Sequence, residues 1–421
     1  MMNKDELKRA FCAAVDARAD EIKSVAADLM RMPELGFKET KTAGFMTDAF
    51  RALGIEPETG LGVTGVRGKL AGGSHNARIA LIGELDAVTS PAHPMADAST
   101  GAAHSCGHNI QLAGLLGCAA ALRDAGIMPH LGGDVDLFCT PAEEFVELEY
   151  RAALRDSGKI GMLSGKQELL RLGAFEGVDA AMMVHSQAGT PERKCFVAGG
   201  ALGFVAKIIR FSGKAAHACT PEEGVNALNA AMAAMMCIHA MRETFRAEDR
   251  IKVHPIITKG GDLVNIVPSD VVMETYVRGA TPAAVKDASE KVDRAIRGAA
   301  YAIGCDVEIR DLGGYDPLRQ DETISSLFAD NARAIFPEAP IVTGVNMVGS
   351  TDMGDLSSVM PVIQPTIGGF TGAAHSKEFS SVDDDFTVIG TAKLLGTTAI
   401  DLLFGDKPLA RTIRENYHPA E

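Results

Sequence analysis

The chain has 421 residues and a formal net charge of −14, with 46% hydrophobic and 23% charged residues. This length predicts two or three domains with sizeable cores, and the acidic balance disfavours binding of nucleic acid or anionic lipid through bulk charge. No apolar run reaches the roughly 18 residues of a membrane span, and the charged N-terminus lacks a signal peptide's apolar stretch. The eight scattered Cys contain no C-x-x-C pair, so we expect a cytoplasmic protein with reduced thiols.

The first third of the chain alternates helical and strand patterns. Apolar positions at helical spacing predict one amphipathic helix over 4–31. Residues 77–88 are nearly all apolar before an acidic end, which is typical of a strand buried on both faces. A small apolar stretch, 110–125, predicts a buried helix, and 134–140 predicts another core strand. This order indicates an α/β fold with a mainly parallel sheet, whose chemistry lies at the carboxyl ends of its strands.

The middle of the chain follows a different pattern, in the order β-α-β-β-α-β of a ferredoxin-like unit. The predicted elements are a strand at 203–211, a helix at 222–246, strands at 251–258 and 267–278, a helix at 281–303 and a strand at 305–311. We therefore predict an α/β domain made of 1–198 and 313–421, with a small α+β domain inserted at 199–312.

A Cys and a His stand two residues apart in His-Ser-Cys-Gly-His-Asn, 104–109. In an extended segment, Cys106 and His108 would point to the same side. A thiolate and an imidazole together suit a borderline or soft divalent metal. Taken alone, the motif is weak and favours a buried Cys and a helix-capping His.

Two adjacent carboxylates, Glu143 and Glu144, follow the core strand at 134–140. One carboxylate can bind a metal while the other accepts a proton from water. The alternative is an acidic first turn of a helix. His185 follows another apolar run, and His375 lies in a Gly-rich segment. The set of five residues lies at the ends of predicted α/β elements, outside the inserted domain, and this favours a metal site.

The chain resembles the M20 metallopeptidases, specifically the M20D amidohydrolase branch, which includes hippurate, indole-acetyl-amino-acid and aminobenzoyl-glutamate hydrolases. The resemblance extends over nearly the whole chain. The segments that carry it are MPELGFKETKTA (32–43), GELDA, SCGHN, TPAEE, GKAAHACTPEEGVNALNAA (213–231), GGDLVNIVPSDVVMETYVRG (260–279), GSTDMGDLS (349–357) and AAHSKEF (373–379).

The resemblance implies a role for each matching residue. Glu143 matches the general base, and His217 matches a lid residue that stabilises the oxyanion, often in the partner subunit of a dimer. Asn265 and Arg278 match lid residues that line the substrate region, and a strand-end ion pair is an equal alternative for Arg278. The implied metal ligands are Cys106, His108, Glu144, His185 and His375. The resemblance also implies one or two divalent ions, manganese first with zinc, cobalt or nickel as alternatives, and a homodimer through the lid.

Two segments depart from the branch. Residues 145–162 are longer and more charged than the usual Gly-rich segment, and we expect a helix near the site. The loop 89–104 is also long and contains two His. We interpret His93 as a surface residue, and His104 as a polar group near the metal.

We predict hydrolysis of a C–N bond in a small N-acyl or N-aroyl amino acid or aromatic amide, by Glu-assisted attack of water activated by the metal. An aminohydrolase that releases ammonia from an activated aromatic ring is the nearest alternative, motivated only by 145–162. A non-catalytic binding module is disfavoured because the base and ligand types are all present. A thiol enzyme with Cys106 as nucleophile and His108 as base would leave the two Glu and two remote His unexplained.

Overall fold

The computed structural model describes residues 2–347 and 349–419. The chain forms two compact units. The first unit comprises Met1–Gly200, Arg319–Asn346 and Asp355–Glu421, and the second comprises Ala201–Leu318 and Met347–Gly354. Three separate segments of the sequence therefore build the first unit, which holds all five predicted metal ligands.

Helices of the first unit surround a six-stranded sheet. They are α1 (Lys4–Ala17), α2 (Ala19–Met30), α3 (Thr40–Ala52), α4 (His108–Asp124), α5 (Leu148–Asp156), α6 (Gly165–Arg171), and, after α7 and α8 of the second unit, α9 (Glu322–Ile335), α10 (Met353–Ser357, across the boundary between units), α11 (Gly390–Leu403) and α12 (Leu409–Glu415). The single helix expected over 4–31 is wrong, because Arg18 leaves helical geometry at ψ 12° and separates α1 from α2. Its guanidinium instead bonds Asp124 and Glu21.

The strands of the first unit form this sheet and several short ladders. They are β1 (Glu58–Leu61), β2 (Gly65–Leu70), β3 (Ala77–Glu84), β4 (Val88–Thr89), β5 (Ala102–Ala103), β6 (Gly133–Thr140), β7 (Ala180–Met182), β8 (His185–Ser186), β9 (Cys195–Val197), β15 (Ile341–Thr343), β16 (Val362–Ile363), β17 (Thr366–Ile367), β18 (Phe370–Thr371) and β19 (Ser380–Ser381). The sheet order is β1-β2-β6-β3-β7-β16. Pairs from β6 to β16 are parallel, and the two pairs at the β1 edge are antiparallel. A mainly parallel sheet is therefore confirmed.

One helical stretch runs through the core of the first unit. Asp385–Leu403 has 19 residues and a mean hydropathy of 1.3, so it is long and apolar enough to cross a membrane by composition. The expectation that no apolar run approaches this length is therefore wrong. In its most apolar part, 94% of this stretch is buried inside the protein. There α11 packs against α1, α4 and α9. The stretch is a core helix of this unit.

The second unit is an antiparallel sheet covered by two helices. Its elements are β10 (Gly203–Ser212), α7 (Ala227–Ala240), β11 (Lys252–Val253), β12 (Ile256–Lys259), β13 (Asp270–Gly279), α8 (Pro282–Ile303) and β14 (Asp306–Gly313). The order is β11-β13-β10-β14, and β12 also pairs with β13. Inward residues Ile209, Phe211 and Met273 pack with buried faces of α7 and α8. The order of elements is β-α-β-β-β-α-β rather than the predicted β-α-β-β-α-β, because the strand expected over 251–258 is divided into β11 and β12. α7 is also shorter than the helix expected over 222–246.

Candidate metal centre

Two strands of the main sheet end side by side. β3 and β6 are parallel, and Glu84 lies opposite Thr140 in their register. The acidic segment after β3 and the turn that contains Glu143 and Glu144 therefore leave the same sheet edge, where α/β sheets place ligand sites. The helix-first-turn alternative for the two Glu is wrong, because α5 begins only at Leu148.

Cys106 and His108 converge through a turn. The expected extended segment is wrong, since Gly107 has φ 86° and His108 is the first residue of α4. A β-carbon on Gly107 would lie 3.1 Å from the Ser186 β-carbon. The positive backbone angle therefore favours Gly, and Ser186 leaves little space for a side chain. The turn still brings the Cys106 Sγ and a ring nitrogen of His108 within 4.8 Å of each other.

The structure brings the five predicted ligand residues together in two groups. Ligand atoms of Cys106, His108 and His185 lie within 4.8 Å of one another, and so do those of Cys106, Glu144 and His375. The Cys106 Sγ is 3.6 Å from the His185 Nε2, and the Glu144 Oε1 is 3.1 Å from the His375 Nε2. Cys106 belongs to both groups, so its sulfur is the point where the groups meet.

Backbone contacts orient the imidazoles. His108 Nδ1 donates to the Asp86 carbonyl oxygen at 2.8 Å, and His185 Nδ1 lies 3.0 Å from the Ser186 carbonyl oxygen. Such bonds fix the ring and leave Nε2 to face a metal. His375 adopts φ 65°, which is uncommon for a residue with a side chain. Its amide donates to the Ser105 carbonyl at 2.9 Å.

The chemistry of these donors fits a divalent cation. The buried His108 Nε2 lies 3.1 Å from the Glu84 Oε2, and the buried Glu144 Oε1 lies 3.1 Å from the His375 Nε2. Within residues 2–347 and 349–419, however, neither His108 Nε2 nor Glu144 Oε1 makes a well-aligned hydrogen bond. Each of these atoms belongs to one of the two groups. Buried polar atoms without such bonds are costly, and a bound cation would satisfy both. Thiolate, imidazole and carboxylate together suit transition-metal ions such as manganese or zinc.

Negative charge dominates the centre. Burial and Glu144 would raise the pKa of the Cys106 thiol, but His185 and His108 lower it to about 6. The Cys106 and Glu144 side chains raise the pKa of His375 to about 11. Burial opposes ionisation of His108, yet Glu84 holds its pKa well above the usual value. Without another cation, the imidazoles are therefore driven to carry the compensating charge.

Sequence reasoning assigned no role to Glu84 and Lys166. Ligand atoms of Glu84, His108 and Glu143 form a third group within 4.8 Å, and the Lys166 Nζ lies 2.6 Å from the Glu84 Oε1. Both side chains of this ion pair are fully buried. Burial would raise the pKa of Glu84, but Lys166 and His108 lower it to about 2. The acidic strand end was a signal for Glu84, whereas nothing in the sequence singles out Lys166.

A second buried carboxyl supports the turn that carries Glu143. The Glu39 Oε1 accepts the Ala142 amide at 2.8 Å, and its Oε2 accepts the Thr64 hydroxyl at 2.6 Å. The Asp86 Oδ2 accepts the Glu144 amide at 2.9 Å. Burial and the Asp86 charge raise the pKa of Glu39 to about 7. Two carboxyls therefore hold amides of this turn from opposite ends.

The loop 89–104 contacts the segment that contains His375. His93 is only 7% exposed, and its Nε2 lies 3.1 Å from the Phe379 carbonyl oxygen, so its interpretation as a surface residue is wrong. The Ser90 hydroxyl donates to the His375 carbonyl at 3.0 Å. His104 is 1% exposed, and burial with the charges of His108 and His93 lowers its pKa to about 3.

The remaining predicted site residues lie in the second unit. His217 is exposed, and its Nδ1 accepts the Cys219 amide at 3.1 Å. Asn265 is exposed in the turn whose carbonyl accepts the Ala218 amide. Arg278 is half-buried, with its guanidinium 5.1 Å from the centre of the Phe204 ring. Within the part of the chain that the structure describes, Arg278 forms no ion pair, so its alternative as a strand-end ion pair finds no partner.

These features agree with comparisons to known proteins. Residues 80–398 match the profile of peptidase family M20/M25/M40, and the chain belongs to this family. Xaa-Arg dipeptidase of Mus musculus is 29% identical over 94% of this chain and 89% of its own length. The human Xaa-Arg dipeptidase is 32% identical over 76% of this chain and 71% of its own. N-acetyl-L-cysteine deacetylase of Bacillus subtilis is 26% identical over 72% of this chain and 70% of its own.

A solved structure shares the fold. A dinuclear metal-binding peptidase of family M20 from Bacillus subtilis matches with a TM-score of 0.70 and 21% identity, over 92% of this chain and 99% of its own. Together with the family match, the hydrolase relatives define the protein as an enzyme that acts on C–N bonds.

Proposed function

We propose that the protein is a manganese-dependent amidohydrolase, of the M20D branch, that cleaves a small N-acyl or N-aroyl amino acid. The observation that carries the proposal is the pair of ligand groups that share Cys106. Each group contains one buried ligand atom that makes no well-aligned hydrogen bond in the described part of the chain, His108 Nε2 in one group and Glu144 Oε1 in the other. We assign Cys106, His108 and His185 to one ion and Cys106, Glu144 and His375 to a second.

When bound, the ions supply Lewis acidity that lowers the pKa of water and polarises a carbonyl. A carboxylate oxygen of Glu143 lies within 4.8 Å of ligand atoms of His108 and Glu84. Glu143 is therefore close to a predicted metal ligand but belongs to neither of the two groups that share Cys106. We assign Glu143 as the carboxylate that accepts a proton from the attacking water and passes it to the leaving nitrogen. The neighbouring Glu144 is committed to His375, so the two adjacent carboxylates have different tasks.

Arg278 and the relatives support this substrate class. The Arg278 guanidinium packs on Phe204 and Tyr276 and donates to the Ser350 hydroxyl, without a carboxylate partner in the described part of the chain. A substrate carboxylate could bind this fork bidentately. The relatives include enzymes named for a dipeptide and for an N-acetyl amino acid. Both compounds are N-acyl amino acids with such a carboxylate. We assign Asn265 to the same substrate region.

We propose a homodimer through the second unit, with His217 stabilising the oxyanion of its own or the partner's site. The exposed apolar side chains Met232 and Met236 lie on α7, and Leu263 and Val264 lie between β12 and β13. Such side chains and a short edge strand are typical of a surface covered by another copy. The cytoplasm, where all eight Cys remain thiols, is the expected location.

The experiment is a substrate panel on metal-free protein to which manganese, zinc, cobalt or nickel is returned. We expect N-acyl and N-aroyl amino acids to yield a carboxylic acid and an amine only with metal present. If an aromatic amine releases ammonia instead, the proposed amide cleavage is wrong and the aminohydrolase alternative is correct. Activity that survives chelation but not thiol alkylation would point to a thiol enzyme and overturn the proposal.

Glu143→Gln tests the base. This change keeps the side-chain shape and removes the proton acceptor, so turnover should fall by about 10²–10⁴-fold. Metal content, measured by elemental analysis, should remain at the wild-type value, because Glu143 lies outside both Cys106 groups. Glu147→Gln is the control, since this partly exposed carboxylate bonds Lys38 rather than the centre. Near-normal turnover of Glu143→Gln would rule this residue out.

A further inference from the structure

The segment after the paired Glu carries a buried Arg. Arg151 lies on α5 and is 1% exposed. Its Nη1 donates to the carbonyl oxygens of Ala142 at 3.2 Å and Leu163 at 2.8 Å, and its Nη2 donates to the Glu144 carbonyl. One guanidinium therefore bonds the backbone on both sides of the segment 145–162.

Ion pairing does not explain this position. Among residues 2–347 and 349–419, Arg151 has carbonyl partners and two aromatic neighbours, Phe37 and Phe145, but no carboxylate. Burying a cation costs several kcal/mol unless local dipoles compensate it. The three carbonyl dipoles supply that compensation, and their positions are thereby coupled to the guanidinium.

Two of those carbonyls belong to the turn that carries the base and one ligand. Ala142 adopts φ 51°, a left-handed conformation that costs a non-Gly residue about 1–3 kcal/mol. Glu39 accepts the Ala142 amide, and Asp86 accepts the Glu144 amide. Arg151 supplies the complementary bonds, so amides and carbonyls of the turn are both held.

The backbone around the guanidinium leaves it little freedom. A β-carbon added at Gly36 would lie 2.5 Å from the Arg151 Nη2. The Phe37 ring centre is 5.4 Å and the Phe145 ring centre 5.8 Å from the guanidinium carbon. A planar fork confined in this way fixes the direction of its hydrogen bonds.

We propose that Arg151 is a positioning residue, which holds the turn 142–144 so that Glu143 and Glu144 face the metal centre. The helix α5, which no residue of the two ligand groups occupies, is the element that delivers this Arg. The inference rests on the proposed function, because it assigns Arg151 to the geometry of the same centre.

The test compares Arg151→Met and Arg151→Lys with wild-type protein. Metal-free protein is titrated with Mn²⁺ by calorimetry, and amide exchange is followed by mass spectrometry in the peptide covering 141–146. Loss of a residue that orients metal ligands typically costs 10–100-fold in metal affinity. We expect Arg151→Met to lose about that factor, with faster exchange in 141–146 and kcat reduced more than KM is changed.

Arg151→Lys should recover part of the affinity, because an ammonium can still donate to one or two of the carbonyls. Arg155→Met is the matched control, since Arg155 lies on the same helix, its side chain is 29% exposed, and its guanidinium lies 3.9 Å from the Asp156 carboxylate. It should retain wild-type affinity and exchange. If Arg151→Met does not fold, the Mn²⁺ affinity of Arg151→Lys is compared with that of the wild-type protein. An affinity of Arg151→Lys equal to the wild-type value would then overturn the proposal.

A folded Arg151→Met with wild-type affinity and exchange also overturns it. Failure of the proposed function gives a different result, in which the wild-type protein itself does not bind Mn²⁺. Equal losses in Arg151→Lys and Arg151→Met, with unchanged exchange in 141–146, would reduce Arg151 to a packing residue and contradict positioning.

Discussion

Lys166 and Glu84 form the most deeply buried ion pair at the centre, with both side chains fully enclosed. Removing one partner of such a pair leaves an uncompensated charge, which costs about 3–5 kcal/mol. We therefore expect Lys166→Met to lower the free energy of unfolding by roughly that amount. Urea denaturation in the presence of a chelator measures it.

Arg333→Met is the control for this substitution. Arg333 pairs with Asp330 at 2.7 Å, but the two side chains are 58% and 70% exposed. Exposed pairs contribute at most about 1 kcal/mol. Equal losses in the two variants would show that burial does not set the strength of the Lys166 pair.

Glu39 gives the stability of the protein a predictable pH dependence. Burial raises the pKa of Glu39 from the ordinary value of 4.5 to about 7 in the folded chain. Between these pH values the folded state therefore binds more protons than the unfolded state. The free energy of unfolding should therefore fall as pH rises through this window, by up to about 1.4 kcal/mol per pH unit from this group. Below pH 4.5 Glu39 does not lower the free energy of unfolding, and above pH 7 it lowers it by the full amount.

Glu39→Gln should remove this contribution, because an amide can keep one acceptor for Ala142 and does not ionise. The measured quantity is the difference in unfolding free energy between pH 5 and pH 8 for metal-free protein. Glu56→Gln, at an 85% exposed carboxylate, should leave that difference unchanged. A Glu39→Gln variant with the wild-type pH dependence would contradict the raised pKa.

The residues of the centre divide by how far sequence can predict them. Cys106, His108, Glu144, His185 and His375 could be proposed because their side chains are ligand types placed at the ends of regular elements. Lys166 could not, because its significance comes from a partner 82 positions away in the chain. His93 was misinterpreted because burial of a loop depends on the segment it contacts.

At the scale of elements, periodicity predicted most strands and helices but not their interruptions. β10, β13 and α8 differ from the predicted ranges by at most three residues at one or both ends. The break at Arg18 follows instead from tertiary contacts of its side chain, which an amphipathic pattern does not contain. α5 was expected as a helix, and the structure confirms this part of the segment 145–162.

The turn between β10 and α7 carries the predicted oxyanion donor. If His217 has this role, His217→Ala should reduce turnover by about 10²–10³-fold, the usual cost of one such donor. Metal content should not change, because His217 lies in the second unit. His254→Ala, at another exposed His of that unit, is the control. Full activity of His217→Ala would exclude the role.

Mixing His217→Ala with Glu143→Gln distinguishes the two possible arrangements. If His217 acts across a dimer interface, mixed dimers contain one intact site, and random exchange restores up to about a quarter of wild-type activity. If His217 acts within its own subunit, the mixture should be as inactive as its components. The rate is measured after the subunits have exchanged.

For the whole molecule, the exposed apolar surface of the second unit predicts association. Met236 is 71% and Val264 is 102% exposed. A charge placed in the centre of an interface costs about 2 kcal/mol or more, so Met236→Glu should raise the dimer Kd by roughly 30-fold. Analytical ultracentrifugation measures it, with Val359→Glu in the first unit as control. A wild-type chain that sediments as a monomer would contradict the proposal.

Because the first unit is built from three segments, the ligands of the metal centre are synthesised at different times. Cys106, His108 and His185 all precede the second unit, whereas His375 follows it. Because chains fold from the N-terminus as they emerge, these three residues are synthesised before the group of Cys106, Glu144 and His375 is complete. A polypeptide that stops before His375 also lacks α11, which packs against α1 and α4 in the core of the first unit, so we expect neither ligand group to form stably until the last segment has been made.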